Sequence, residues 1–236
     1  MNTAPRRRAV LALALTASLG LLGACGGDDD GSPGAGDTSD AADGGELPEL
    51  PPELVAELRP VEVSGAALPR LTSSDDGDIP ADPAVGTPAP VLVGQDFDDA
   101  TVRIDAAQDG PTMVVFLAHW CPHCNNEIPE INELRDDGRI PAGLNVVGVP
   151  TGSDPGRPNF PPSEWLDDMD WTYPVLVDDY LVEADGVSVV AGDAFGLSGF
   201  PFVTLIDGDG DVTARWSGER GADQIANLIA TYLPGL

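Results

Sequence analysis

Apolar and polar residues in the C-terminal part of the chain form segments typical of strands that alternate with helices. Thr112–Ala118 is a continuous apolar run of the kind found in a central buried strand, and Leu144–Val149 is a second one. Thr101–Asp105 alternates between polar and apolar residues and predicts a half-buried strand. Between the two apolar runs, Cys121–Asp137 predicts a helix that is kinked or interrupted at Pro129.

The alternation continues more weakly after the second apolar run. Pro161–Met169 predicts a short helix, because proline is favoured at helix starts. Pro174–Val177 predicts a further short strand and Val189–Leu197 a loose helix.

The chain closes with a predicted hairpin and helix. Phe202–Ile206 and Asp211–Ser217 are strand-like and flank the turn Asp207–Gly210. Ala222–Leu233 has the spacing of an amphipathic helix. Together these elements predict an α/β domain over residues 85–236, with a central mixed sheet flanked by helices.

Residues 25–84 have a different composition, rich in Gly, Asp, Pro, Ser and Ala. Low hydrophobicity with charge of one sign predicts an acidic, disordered tether. Glu53–Leu58 could form one helical turn and Val61–Leu71 has some apolar character, but we expect neither segment in the core.

The first 24 residues have the organisation of a secretory signal peptide. Arg6–Arg8 precede an apolar run, Ala9–Leu22, that is shorter than the roughly 20 residues of a membrane span. Leu22–Cys25 resembles the bacterial lipobox, which implies cleavage before Cys25 and a lipid anchor on its thiol. A plain signal peptide with a chance cysteine is the alternative. The prediction is an extracytoplasmic protein anchored to the bacterial cell membrane.

Charge excludes some partners. The chain has 40 Asp and Glu against 11 basic residues, a formal net charge of −29, and every basic residue is arginine. Non-specific nucleic-acid binding needs clustered Lys or Arg, so we expect no nucleic-acid partner.

Two of the three cysteines form a C-x-x-C motif directly after the first apolar run. The segment Trp120–Cys124 reads Trp-Cys-Pro-His-Cys, and strand, motif and helix in this order indicate a thioredoxin-type redox site. Cys121 would lie at the helix start, where free N–H groups and the helix dipole favour a thiolate. Cys124 follows one turn later on the same face, so the two can close a disulfide or open to an exposed nucleophile and a buried resolving thiol.

Other chemistries fit the sequence less well. Zinc needs four ligands, and the second C-x-x-C that would complete such a site is absent. The Asp207–Asp211 segment lacks the Gly and Glu spacing of a calcium loop and reads as a hairpin turn. A thiol peroxidase would have Thr where Ala118 stands, and a copper-delivery protein of the Sco type would have C-x-x-x-C with a distant His. We therefore expect no metal and no cofactor other than the Cys121–Cys124 disulfide.

Residues 86–236 resemble the membrane-anchored thioredoxin-like proteins of the TlpA/ResA type, the redoxin group. The resemblance rests on FLAHWCPHCNNEIP at the motif and on the later Ser-Gly-Phe-Pro that ends at Pro201. It implies a thioredoxin-like fold and a cis peptide bond before Pro201, which would shape a substrate groove with Phe200, Trp120 and Pro122. It also implies that Glu127 tunes the thiol pKa. The buried aspartate of thioredoxin itself is replaced here by Val115, so proton transfer at Cys124 would depend on Glu127 or on water.

The dipeptide between the cysteines resembles that of the strongly oxidising DsbA type. His123 in that position is expected to stabilise the Cys121 thiolate, whereas the carboxylate of Glu127 favours a reducing role. We expect a fairly oxidising potential for the family.

These observations predict an exported thiol–disulfide oxidoreductase in which Cys121 forms the mixed disulfide and Cys124 resolves it. Its substrates would be cysteine-containing exported proteins and, in line with the resembled family, apocytochrome c, with a membrane redox protein for recycling. The alternative is a tethered, non-catalytic binding module whose cysteines form a structural disulfide.

Overall fold

A computed structural model describes residues 47–72, 81–183 and 186–236. Residues 1–46, which include the predicted signal peptide and Cys25, lie outside the described residues. The strands in the described part are β1 (Glu62–Ser64), β2 (Val91–Gln95), β3 (Thr101–Ile104), β4 (Thr112–Leu117), β5 (Asn145–Pro150), β6 (Tyr180–Glu183), β7 (Gly186–Val189), β8 (Phe202–Ile206) and β9 (Val212–Ser217).

The helices in the described part are α1 (Pro52–Val55), α2 (Ala106–Asp109), α3 (Pro122–Asp136), α4 (Pro162–Asp168), α5 (Val190–Ala194) and α6 (Ala222–Tyr232). Most of them are short, and α3 and α6 are the two longer ones. None of the helices in the described ranges is long and apolar enough to cross a membrane.

A four-stranded mixed sheet in the order β5-β4-β8-β9 is the centre of the domain. β4 pairs in parallel with β5 and antiparallel with β8, and β8 pairs antiparallel with β9. Every residue of β4 is buried, as expected for a continuous apolar run in a central strand. The predicted mixed sheet with a closing hairpin and helix is confirmed.

The side chains of β4 divide the core into two layers, because successive residues of a strand point to opposite faces. Met113, Val115 and Leu117 belong to a cluster with α3 and α6 on one face. Val114 and Phe116 belong to a second cluster on the other face, with residues of α5. The sheet therefore has helices on both sides.

Helix α3 carries the C-x-x-C motif and begins with Pro122 at its first turn, where a missing N–H costs nothing. It runs through Pro129 to Asp136, so the predicted interruption at that proline does not occur. The apolar side chains Ile128, Ile131 and Leu134 are fully buried against the sheet.

Residues 47–72 fold against the domain, so the expectation that Glu53–Leu58 and Val61–Leu71 stay outside the core was wrong. β1 adds to β2 and β3 as the edge of a three-stranded antiparallel sheet. Leu54, Leu68 and Leu71 are buried, and the last two belong to the core cluster beside α5. These few leucines supply enough apolar contact to order a segment whose average composition predicts disorder.

A buried ion pair also connects the N-terminal segment to the main sheet. The guanidinium of Arg215, on β9, donates to both carboxylate oxygens of Asp82 at 2.6 and 2.7 Å, and both side chains are inaccessible to solvent. The same guanidinium donates to the backbone carbonyls of Pro69 and Phe195. Burial raises the pKa of Asp82, but the Arg215 contacts outweigh it and the pKa is lowered overall.

Two smaller elements differ from the sequence prediction. Pro174–Val177 contributes a single bridge, between Val175 and Gly148, rather than a strand. The antiparallel pair β6–β7 was not predicted, because its residues lack a clear apolar pattern.

Candidate active site

The two thiols lie at the junction of β4 and α3. Cys121 is the residue immediately before the helix, with an extended backbone, and its N–H donates to the Ala118 carbonyl. Cys124 lies within the first turn. Both thiols are free, and their residues are 5% and 0% exposed, so Cys121 is more buried than the expected exposed nucleophile.

Each sulfur has one backbone contact that defines its position. The backbone N–H of Ala118 donates to Cys124 Sγ at 3.4 Å, and Cys121 Sγ donates to the Phe200 carbonyl at 3.7 Å. Burial raises the pKa of the Cys124 thiol well above its ordinary value, and the neighbouring Cys121 and Glu127 raise it further. Cys124 therefore strongly favours the protonated form.

The Phe200 carbonyl reaches Cys121 from a loop that ends in a cis peptide bond between Phe200 and Pro201, as the family resemblance implied. The Pro201 carbonyl accepts a hydrogen bond from the Gly218 N–H at 2.9 Å. The Phe200 ring contacts Trp120 edge to face, with 5.6 Å between ring centroids. Of the predicted groove residues, Trp120 and Phe200 thus contact each other, Pro201 follows the carbonyl that accepts from Cys121, and Pro122 is exposed at the helix start.

Glu127 lies on the inner side of α3 and is fully buried. One carboxylate oxygen accepts the Arg220 backbone N–H at 2.5 Å, while the other, Oε1, has no hydrogen-bond partner. Burial raises the pKa of Glu127 to about 8, although the N–H and the charge of Arg220 act in the opposite direction. The carboxyl group is consequently mostly protonated at neutral pH and can donate a proton within the site.

His123 lies on the outer side of the helix start, and its side chain is 64% exposed. Its Nδ1 is 2.9 Å from Glu219 Oε2, and the amide of Asn126 donates to the same oxygen at 2.9 Å. The interaction that the structure shows for His123 is therefore with a carboxylate of the loop after β9.

That loop, residues 218–221, is attached to α3 along its length. In addition to the Arg220 contact with Glu127, the Ala222 N–H donates to the carboxylate of Glu130 at 2.7 Å. Glu127 and Glu130 of the helix thus accept from the loop and the start of α6, and Glu219 of the loop accepts from the helix. The loop forms one wall of the site, and the sequence analysis did not identify it.

Trp120, the residue before Cys121, also borders the site. Its Nε1–H donates to the Gly152 carbonyl at 2.7 Å, and the Arg157 guanidinium lies 4.2 Å from the ring centroid. A groove of about 470 Å³ begins at Trp120. The groove continues between α1, the loop at 152–157 and the β6–β7 hairpin, with Leu54, Tyr180 and Val187 among its lining residues.

His119 is a further residue whose role the sequence did not predict. It is 1% exposed, its Nδ1 lies 2.6 Å from the Pro158 carbonyl, and its Nε2 accepts the Asp154 N–H at 3.1 Å. These partners require a neutral ring with the proton on Nδ1. Burial lowers the pKa of His119, which agrees with the neutral form. His119 positions the loop that borders Trp120 rather than the sulfurs.

Metal-binding chemistry has no evident site in the described ranges. No three side chains of His, Cys, Asp or Glu there form a group that could hold a metal ion. Asp207 Oδ1 accepts the backbone N–H groups of Asp209 and Asp211, so this acidic segment is the predicted turn between β8 and β9.

A helix that begins with two thiols after a central strand, beside a cis-proline, is the arrangement of a thioredoxin-like fold. Residues 85–215 match the model of the AhpC/TSA family, which covers more than half of the chain. The chain belongs to the AhpC/TSA family.

Curated relatives share this part of the chain. The methylamine utilization protein MauD of Paracoccus denitrificans is 31% identical over 135 residues, which are 56% of this chain and 58% of MauD. The protein disulfide-isomerase erp38 of Neurospora crassa is 27% identical over 59% of this chain and 28% of that protein. The thiol-disulfide oxidoreductase ResA of Bacillus cereus is 21% identical over 64% of this chain and 79% of ResA. The chain thus spans less than two thirds of the first two relatives.

Two of the solved structures that this chain resembles are also named for thiol–disulfide exchange. The thioredoxin domain of a thiol-disulfide oxidoreductase from Bacteroides vulgatus is 18% identical, with a TM-score of 0.47, over 64% of this chain and 98% of that one. A putative thiol:disulfide interchange protein DsbE from Chlorobium tepidum is 22% identical, with a TM-score of 0.47, over 62% of this chain and 96% of that one.

Proposed function

We propose that this protein exchanges disulfides with exported proteins through the Cys121–Cys124 pair. The observation that carries the proposal is the placement of both sulfurs at the start of α3, with Cys121 against the Phe200 carbonyl next to Pro201. Helix starts stabilise thiolates, and a one-turn spacing allows the two sulfurs to form a disulfide.

In the oxidising direction, a substrate thiolate attacks Cys121 Sγ of the protein disulfide. The Cys121–Cys124 bond breaks, and Cys124 leaves with the electron pair and takes up a proton. A second thiolate of the substrate then attacks the substrate sulfur that is bonded to Cys121. The substrate disulfide forms, and Cys121 leaves as a thiolate. The substrate loses two electrons, and the protein gains them as a dithiol. The reducing direction is the same sequence in reverse.

Glu127 supports the proton transfer at Cys124 in this scheme. The charge of Glu127 raises the pKa of Cys124, and the carboxyl is mostly protonated at neutral pH because burial raises its own pKa to about 8. The neutral acid can protonate Cys124 as it leaves, and its carboxylate can remove the proton in the reverse direction. His123 would act on the outer side, through its charge at the helix start.

We propose that the substrate lies along Phe200 and Pro201, between Trp120 and the exposed Pro122. An extended segment there can pair with the backbone at Phe200 as an added strand. The groove beside Trp120 offers apolar contacts for residues near the substrate cysteine.

We further propose that the protein acts outside the cytoplasm, held at the membrane by lipid on Cys25. The basic start, the short apolar run and the small residues before Cys25 support this proposal. Cysteine-containing exported proteins, with apocytochrome c among them, would be the substrates, and a membrane redox protein would recycle the pair.

A second candidate is a binding module in which the two cysteines form a structural disulfide. The low exposure of Cys121 favours it, because a thiol that is 5% exposed is poorly accessible to a protein substrate. Native reduction by dithiothreitol, followed through Trp120 fluorescence, separates the two. A redox-active pair is reduced without unfolding, whereas a structural bridge resists.

Trapping tests the proposed function. Cys124→Ala should accumulate mixed disulfides with exported proteins through Cys121, since the resolving thiol is missing. Cys121→Ala is the matched control and should trap none. Equal trapping by both variants, or none by Cys124→Ala in an oxidising extract, would contradict the mechanism.

A further inference from the structure

We propose that Glu219 sets the redox equilibrium of the Cys121–Cys124 pair by holding His123 and placing a negative charge beside it at the helix start. The inference rests on the proposed function and adds a positioning residue to it. Its consequence is that the Cys-Pro-His-Cys loop is less oxidising in this protein than its sequence alone predicts.

The geometry places one carboxylate oxygen against two side chains from the start of α3. Glu219 Oε2 accepts from His123 Nδ1 and from the Asn126 amide, both at 2.9 Å. The first turn of α3 has no acidic residue of its own. Glu219 therefore brings to this helix start a carboxylate that the helix itself lacks.

The backbone around Glu219 is held on both sides, so its position does not depend on the side chain alone. Gly218 N–H donates to the Pro201 carbonyl at 2.9 Å, and Arg220 N–H donates to the buried Glu127. The two hydrogen bonds from Asn126 and His123 lower the pKa of Glu219, so it is ionised at neutral pH. The loop thus presents a fixed negative charge to His123.

A negative charge at this position destabilises the reduced, dithiol form of the protein relative to the disulfide form. The reduced form is stabilised where positive charge and the helix dipole favour a thiolate at the helix start. Replacing Glu219 by Gln removes one negative charge from the helix start. The helix start becomes more positive on average, which stabilises the dithiol form and makes the disulfide a stronger oxidant.

The experiment measures the equilibrium in which protein dithiol and glutathione disulfide give protein disulfide and two reduced glutathiones. We expect Glu219→Gln to lower this equilibrium constant about two- to fivefold, the range that exposed charge pairs reach. Glu133→Gln is the matched control, because Glu133 is an exposed acid of the same helix that pairs with Arg139. It should leave the constant unchanged. Both variants replace exposed side chains, and circular dichroism verifies that they fold.

A second variant tests whether Glu219 acts through His123. His123→Gln should raise the constant by about twofold or less in the wild type, where Glu219 places a negative charge beside His123, and by about two- to fivefold in Glu219→Gln. An unchanged constant in Glu219→Gln, an equal shift in Glu133→Gln, or equal effects of His123→Gln in both backgrounds overturns the inference. If the wild-type pair does not equilibrate with glutathione at all, the proposed function fails instead.

Discussion

Glu127 and Glu219 connect the same loop to the same helix, yet their surroundings give them opposite properties. Glu127 lies on the inner side of the thiol pair, fully buried, with one oxygen unpartnered and its pKa raised to about 8. Glu219 lies on the outer side, 43% exposed, with two donors to one oxygen and a lowered pKa.

The difference shows how burial determines whether a glutamate side chain is protonated or charged. A buried carboxyl with too few donors stays protonated and can exchange a proton with the resolving thiol. An exposed, well-partnered carboxylate stays charged and acts through its field at the helix start. Each part of this comparison can be tested by substitution.

Among the substitutions, we expect the largest effect for the buried Glu127 on the inner side of the thiol pair. Glu127→Gln keeps the size of the side chain and an acceptor for the Arg220 N–H but cannot exchange a proton with Cys124. We expect the release of the mixed disulfide by Cys124 to slow about a hundredfold, the lower end for a lost general acid–base group. Stopped-flow measurement of single-turnover decay of a Cys121 mixed disulfide tests this.

Glu133→Gln on the exposed face of α3 is the control for that measurement, and its decay rate should match the wild type. A rate in Glu127→Gln within twofold of the wild type would show that water, not Glu127, takes the proton from Cys124.

Stability against pH gives a second test of the inner side. Because the pKa of Glu127 is raised from 4.5 to about 8 on folding, the unfolded chain binds fewer protons than the folded one between these values. The free energy of unfolding of the reduced wild type should therefore fall with rising pH through this window. The contribution of Glu127 to the free energy of unfolding falls by about 3–4 kcal/mol between pH 5 and 8.

Glu127→Gln lacks this titrating group. The free energy of unfolding of this variant, relative to that of the wild type, should therefore increase between pH 5 and 8 by the contribution of Glu127. Urea unfolding at several pH values measures the difference, in which other titrating groups such as His119 cancel. A constant difference between the two proteins would contradict the raised pKa.

The outer side should matter little for stability. Glu219→Gln is expected to change the free energy of unfolding by less than about 0.5 kcal/mol, because exposed ion pairs contribute little. Urea unfolding at pH 7 measures it. A loss of about 2 kcal/mol or more would mean that Glu219 is mainly structural.

The smallest effect is expected for Asn126→Ala, which removes one of the two donors to Glu219. With His123 still in place, the glutathione equilibrium constant should shift in the direction of Glu219→Gln but by only about 1.5-fold. A shift larger than that of Glu219→Gln would assign the tuning to Asn126 itself.

Sequence patterns predicted the elements that depend on local physics. The apolar run at β4 and the helix that starts beside Cys121 follow from short segments of sequence, whereas the cis bond before Pro201 was implied by the family resemblance. Residues 47–72 did not, because their order depends on Leu68, Leu71 and the distant Arg215 rather than on their own composition. Glu219 and His119 gave no signal either, since their partners lie 35 to 96 residues away along the chain.

Equilibration of the purified protein with glutathione tests the central proposal most directly. The reduced and oxidised forms are quenched by alkylation and counted by mass spectrometry. We expect reversible two-electron conversion between the dithiol and a Cys121–Cys124 disulfide, with a potential above about −270 mV, that of thioredoxin. Cysteines that never interconvert in the native protein would contradict thiol–disulfide exchange, and a potential near or below that value would contradict the oxidising poise.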